Sequence, residues 1–382
     1  MAVIKLTGPR IRAKHCITKR SSSLAKPKSK PTTTFVWRPK DWATKKEVTQ
    51  NVSILSNRTS TKVLVVKKVL RMRVTADDLS DTRPLEVRIL SKLPNSNRVA
   101  KVLFYADQDP DPTHGTAVFE HYPLGDLMDW KVAVFDNKNF KSVPESYIWR
   151  FFVQMAQALA FIQNEIGPRR DERQGLIHRD LKPKNILVCN NGTTYPSFKM
   201  HDFDCAIEHS LEKGQSISRC GTFEWQPPEN PRINTPMADI WSLGACVHYL
   251  ALGTAPVESV AQYTADTIKQ GGGQHPAAVA EYSYPRHYYD ARVPRKVTPI
   301  NLSQQEQRAR GLAPYNSRNR APYNHMYSDE LNDWMEQTLN YSPKKRPSAS
   351  RLVYGMSLEA RGMLKKLAGQ SGLVDMDINY GG

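Results

Sequence analysis

His178-Arg179-Asp180-Leu181-Lys182-Pro183-Lys184-Asn185 is the stretch that decides this chain. It sets an acid, a lysine and an amide at fixed spacing. Asp180 can accept a hydroxyl proton and aim the oxygen. Lys182 can neutralise charge on a phosphate in flight, and Asn185 can offer an amide oxygen to a divalent cation. A phosphoryl-transfer site needs all three. The plain alternative is a charged, solvated loop, which needs no ordered partners elsewhere.

Such partners occur, and in order. Leu64-Val65-Val66-Lys67 lies in a β-branched run, 61–69, that reads as a strand. Side chains alternate along a strand, so Val63, Val65 and Lys67 share one face while Lys68 points the other way. Residues 82–93 read as a helix carrying Glu86, a carboxylate able to fix a lysine's geometry. Downstream come His201-Asp202-Phe203-Asp204, then Gly221-Thr222-Phe223-Glu224-Trp225-Gln226-Pro227-Pro228-Glu229. Asp239-Ile240-Trp241-Ser242-Leu243-Gly244 and Ser342-Pro343-Lys344-Lys345-Arg346-Pro347 complete the series.

In this order the runs resemble the eukaryotic protein kinase family, serine/threonine-type and divergent, across residues 47–365. The resemblance implies an α+β, protein-kinase-like bilobal fold: a small β-rich N-lobe, 47–121, and a larger, mainly helical C-lobe, 122–365. It implies ATP and Mg2+, a protein substrate, and phosphoryl transfer to Ser/Thr hydroxyls. Lys67 would hold the α/β-phosphates and Glu86 would fix Lys67. Asp180 would orient the acceptor hydroxyl, Lys182 would stabilise the transferring group, and Asn185 and Asp202 would bind Mg2+. In the hinge-like run Phe119-Glu120-His121-Tyr122, Glu120 and Tyr122 would border adenine, with Phe119 as gatekeeper. Val65 would roof the purine, Leu187 would floor it, and Asp126 would bond the ribose. Asp239 would hold the loop's backbone, and Glu229 would pair with Arg346. Taken singly, each run reads equally well as core or turn. The order of Lys67, Glu86, Asp180, Asn185 and Asp202 carries the case.

The pattern also breaks. The family's glycine-rich loop is missing, since no glycine occurs from Pro9 to His114. Residues 45–52 would form the hairpin over the nucleotide, leaving phosphate contact to Lys45, Lys46, Gln50 and Asn51. Asp204 stands in the glycine position of D-F-G, a place Asp tolerates because it adopts left-handed backbone. Val65 replaces a smaller residue over adenine. These departures support a second reading, a catalytically impaired pseudokinase acting as a scaffold or binding module. Arg179 would pair with a phosphate on Ser216 or Ser218, with Ser210 a weaker candidate.

The 382 residues are 40% hydrophobic, enough for a sizeable core, with a net charge of +17. Residues 1–46 carry 13 Lys/Arg against Asp41 alone, so +12 belongs to a basic tail and +5 to the rest. Rich in Lys, Ser, Thr and Pro at 18–34, that tail is expected to be disordered. A third reading has the tail and the Tyr/Arg-rich residues 284–328 contact nucleic-acid phosphates and bases. A localisation tail is the plainer account, with 19–30 as a nuclear import signal. The expected location is nuclear or cytoplasmic.

Five cysteines without C-x-x-C spacing argue against a disulfide scaffold and against zinc. The N-terminus lacks the apolar core of a signal peptide. Uncharged residues 240–257 include Ser242, Gly244 and His248, so they read as a buried helix and imply no membrane partner. Apolar residues at three- and four-residue spacing predict an amphipathic helix over 144–167, opened by Pro144 and closed by Gly167. A second long helix is predicted at 236–251. Residues 258–328 read as an irregular insert in which Ala313-Pro314-Tyr315-Asn316 recurs as Ala321-Pro322-Tyr323-Asn324. Residues 366–382 read as a flexible tail. No motif specifies the acceptor or the oligomeric state.

Overall fold

Alternating β-branched residues in the first third of the chain pair into one antiparallel sheet. Its strands are β1 (Trp42–Thr49), β2 (Val52–Asn57), β3 (Leu64–Arg71), β4 (Val102–Ala106) and β5 (His114–Glu120), ordered β1-β2-β3-β5-β4. These elements belong to a computed structural model that describes residues 35–72, 80–138, 141–209, 220–229, 235–312 and 325–381. Helix α1 (Leu85–Lys92) covers one sheet face, packing Val87 against Ala117 and Phe119. The other face buries Trp42, Leu55, Val65 and Val118, with Phe35, Trp37 and Phe104 packed on them. Residues 35–46, assigned above to the basic tail, therefore close the small lobe's second core. The aromatic rings supply the reason: Trp37 stacks on Trp42 at 5.7 Å and on Phe104 at 5.8 Å. Residues 1–34 lie outside the described residues.

The remainder is mainly helical. α2 (Leu127–Lys131) and α3 (Glu145–Ile162) precede two small antiparallel strand pairs. These join β6 (Gly175–Ile177) to β9 (Ile207–His209), and β7 (Ile186–Cys189) to β8 (Ser197–Met200). Then follow α4 (Pro236–Leu252), α5 (Val260–Gln270), α6 (Pro285–Arg292), α7 (Gln304–Ala309), α8 (Asp329–Thr338), α9 (Ala349–Arg351) and α10 (Ser357–Ala368). A small β-rich lobe thus sits on a larger, mainly helical one, an α+β bilobal fold. Among the described residues, no helix is long and apolar enough to cross a membrane.

Four expectations change. Helix α3 is not amphipathic but buried nearly all round, polar Arg150, Gln154 and Gln157 included. The insert 258–328 holds α5, α6 and α7, while its repeated Ala-Pro-Tyr-Asn lies outside the described residues. Residues 366–381 are not a loose tail: Met376 is 1% exposed and Gln157 Nε2 donates to its carbonyl at 2.8 Å. Finally, Cys205 and Cys220 form a disulfide, whereas Cys189 and Cys246 are buried thiols.

Candidate active site

Strand β3 sends its two lysines to opposite faces. Register with β5 sets Val66 opposite Phe119 and Lys68 opposite Ala117, on the α1 side. Lys68 Nζ donates to Glu86 Oε2 at 3.0 Å and Oε1 at 3.2 Å, and lies 4.9 Å from the Phe119 ring centroid. The pairing expected for Lys67 is therefore made by Lys68. Val65 is likewise displaced from the purine roof: it is 2% exposed on the opposite face, inside the Trp42 core. Val66 holds the cleft-side position instead. Alternation fixes that the lysines diverge; the aromatic cover supplied by Phe35, Trp37 and Trp42 fixes which one looks into the cleft.

Glu86 is 1% exposed. Burial pushes its carboxyl up, Lys68 pulls it back, and Asp204 and Asp202 push it up again, leaving it above the ordinary carboxyl range. Burial also opposes charge on Lys68, but Glu86, Asp202 and Asp204 outweigh it and hold the ammonium above its ordinary value. Carboxylate oxygens of Glu86, Asp202 and Asp204 lie within 4.8 Å of one another. Lys68 is thus coupled electrostatically to all three carboxylates, whose hard oxygens are of the kind a divalent cation takes.

Backbone geometry aims Asp202. It has φ 65°, a left-handed conformation that Asp tolerates. Phe203 is fully buried with its ring 4.9 Å from His178, so the neighbouring carboxylate turns away from the core. Next to it, Asp239 on α4 fastens the loop that carries Asp180. Its Oδ2 accepts from His178 N at 2.7 Å and its Oδ1 from Arg179 N at 2.9 Å. Arg179 Nε donates to Cys205 O at 2.6 Å; Ser210, Ser216 and Ser218 lie outside the described residues.

Asp180 is oriented by three donors. Oδ2 accepts from Lys182 Nζ at 2.9 Å and Asn185 Nδ2 at 3.1 Å, and Oδ1 accepts from Thr222 N at 2.8 Å. Lys182 Nζ also donates to Thr222 Oγ1 at 2.6 Å. Asn185 spends its nitrogen on Asp180, which leaves the amide oxygen as its acceptor for a cation. Gly221 makes the Thr222 contact reachable. Its φ is 83°, and a Cβ there would stand 2.4 Å from Arg179 O. In the sequence Thr222 is marked only by its place after Gly221 in the Gly221–Glu229 run.

At the hinge, Glu120 Oε2 accepts from the Tyr122 hydroxyl at 2.7 Å, and burial raises that phenol's pKa. Asp126 caps α2 by accepting from Asp129 N at 2.9 Å, and it bridges to Leu187 on β7. Val188 N donates to Gly125 O at 2.9 Å, so Asp126 and Leu187 are held side by side. The β1–β2 hairpin turns at Gln50-Asn51 and contains no glycine. Two bulges bend β1 instead, and the first leaves Lys45 unpaired between Thr44 and Lys46. Burial, then the Lys45 charge, lowers the His121 pKa.

The sequence profile described as "Protein kinase domain" matches residues 49–355. The chain belongs to the protein kinase domain family. Among curated proteins it is 32% identical over 180 residues to the serine/threonine-protein kinase unc-51 of Caenorhabditis elegans, covering 45% of this chain and 19% of that one. It is 25% identical over 236 residues to Aurora kinase A-A of Xenopus laevis, covering 60% and 51%. With Cell division control protein 7 of Schizosaccharomyces pombe it shares 29% over 195 residues, covering 50% and 16%. The chain thus spans at most about half the length of these relatives. In this kinase domain the ion pair expected between Glu229 and Arg346 closes at 2.7 Å, tying the end of the Gly221–Glu229 run to the C-lobe.

Proposed function

We propose that this protein transfers the γ-phosphoryl group of Mg·ATP to Ser/Thr hydroxyls of a protein acceptor. The observation that carries the reading is the Lys68–Glu86 pair at 3.0 Å beside Asp202, with a triply bonded Asp180 across the cleft. Hard oxygen donors suit Mg2+, and Asp202 with the Asn185 amide oxygen would hold it. Bound Mg·ATP supplies the phosphoryl group and a charge-neutralised leaving group. Lys68 would hold the α/β-phosphates in the role first read for Lys67. Glu120 and Tyr122 would border the purine with Leu187 beneath it, and Asp126 would bond the ribose. The acceptor hydroxyl donates to Asp180 and its oxygen attacks phosphorus in line. The new O–P bond forms as the β–γ bridging bond breaks, and the proton passes to Asp180. Lys182 steadies charge on the group in transit. Positioning and charge stabilisation of this kind supply most of the rate in phosphoryl transfer.

Radiolabelled phosphate incorporation should fall at least a hundredfold in Asp180→Asn. Equal incorporation by wild type and variant would end the reading.

The glycine-free hairpin favours the second reading, a pseudokinase that binds or scaffolds. A thermal-shift titration separates the two: no stabilisation at millimolar Mg·ATP supports the scaffold.

A further inference from the structure

From Thr222, which touches Asp180, the chain runs on to Glu229, and side chains from the C-lobe hold its carbonyls. Ser242 Oγ donates to Trp225 O at 2.9 Å. Arg295 takes two others: its Nη2 donates to Phe223 O at 2.6 Å and its Nε to Gln226 O at 2.8 Å. The remaining Nη1 donates to Val293 O at 2.8 Å, so all three nitrogens of the planar fork are engaged. Arg295 is 8% exposed, and its own carbonyl accepts from the Tyr341 hydroxyl at 2.7 Å. A bridge between Val257 and Arg295 fixes its backbone further. A rigid guanidinium from a segment that read as an irregular insert thus sets the height of the shelf Phe223–Pro228.

That shelf begins one residue after Thr222, whose N–H binds Asp180 Oδ1 at 2.8 Å and whose hydroxyl binds Lys182 at 2.6 Å. An acceptor polypeptide offering its hydroxyl to Asp180 must lie against it. We infer that Arg295 is a positioning residue for the polypeptide acceptor: it fixes the Phe223–Pro228 shelf at the distance from Asp180 that a bound Ser or Thr requires. The inference rests on the protein kinase reading. Arg295 touches neither nucleotide nor reacting atoms. Its loss removes one donor from each of two shelf carbonyls, and leaves Lys68, Glu86 and Asp202 on their own elements.

The test uses the full chain with a Ser/Thr peptide library, then the best peptide, as acceptor. Arg295→Met should raise the peptide KM at least tenfold while the KM for Mg·ATP and its slow hydrolysis by water change less than twofold. Arg295→Lys keeps the charge but not the fork, and should lie between wild type and Met. Millimolar guanidinium added to Arg295→Ala should recover part of the peptide KM. Amide exchange at Trp225 and Gln226, which donate to Thr222 O and Phe223 O, should quicken in the Met variant. An unchanged peptide KM, or parallel loss of hydrolysis and peptide transfer, would overturn the positioning role. A wild type that phosphorylates no peptide would instead overturn the kinase reading itself.

Discussion

Burial disfavours the charge on Lys68, and the neighbouring Glu86, Asp202 and Asp204 carboxylates more than restore it. Replacing it with methionine leaves Glu86 buried without its cation. Breaking a buried pair in this way costs about 3 kcal/mol or more at neutral pH, at the low end because Lys68 is 18% exposed. The cost depends on pH. The folded-state pKa of Glu86 is already raised, and without Lys68 it rises further. Folded protein then holds the Glu86 proton more tightly than unfolded protein, so stability falls as pH rises through the interval between the two values. Lys68→Met should therefore be nearly as stable as wild type near pH 4 and clearly weaker at pH 8, read from urea midpoints. It should also lose phosphate incorporation at least a hundredfold, while Lys67→Met stays within threefold. The reverse ranking would restore Lys67 to the cleft. Asp180, Asn185 and Asp202 were legible because each sits in a short local pattern. The choice between Lys67 and Lys68 was not, because alternation is symmetric and the aromatics that break the symmetry lie in residues that composition assigned to a tail.

At the scale of elements, the segment between Asp204 and Gly221 is tied by the Cys205–Cys220 bond, whose Cα atoms stand 6.2 Å apart. One end adjoins the Asp202 carboxylate and the other adjoins Thr222, which contacts Asp180. A bond closing 15 residues of chain restricts the unfolded state by about 3 kcal/mol. Oxidised protein should accordingly show a higher urea midpoint than protein in dithiothreitol, and Cys205→Ser should abolish the difference. Coincident midpoints for oxidised and reduced wild type would show that the bond adds no stability. Nothing in the sequence announced this pairing, because spacing along the chain carries no information on Cα separation. Strand β3 and helices α1, α3 and α4 were legible from β-branched runs, apolar spacing and their Pro and Gly limits. The buried polar face of α3 was not, since its partners come from the far end of the chain.

Those partners bind the whole molecule together. Arg98, between α1 and β4, and Arg150, on α3, are both fully buried. Arg98 donates to Asp375 Oδ2 at 3.1 Å, Asp377 O at 3.0 Å and Gln157 Oε1 at 2.8 Å. Arg150 donates to Gly372 O at 2.7 Å and Val374 O at 2.8 Å. Ending the chain at Ala368 would strip these acceptors from two guanidinium groups and expose them to water, costing stability. The consequence reaches the cleft. Arg98 O accepts from Met200 N at 2.9 Å and Met200 O accepts from Ala100 N at 2.8 Å, and Met200 stands two residues before Asp202. The truncated chain should therefore unfold at lower urea and also show a smaller thermal shift with Mg·ATP. Asp375→Ala, which removes only the side-chain acceptor of Arg98 and Asn97, should move both quantities in the same direction by a smaller step. Asp377→Ala provides the contrast. Its carboxylate is 80% exposed and pairs with Arg361, so its loss should change stability by less than about 0.5 kcal/mol. If truncation lowered the urea midpoint but left the nucleotide shift intact, the C-terminal segment would brace the large lobe alone, and the path from Arg98 through Met200 to Asp202 would carry no coupling.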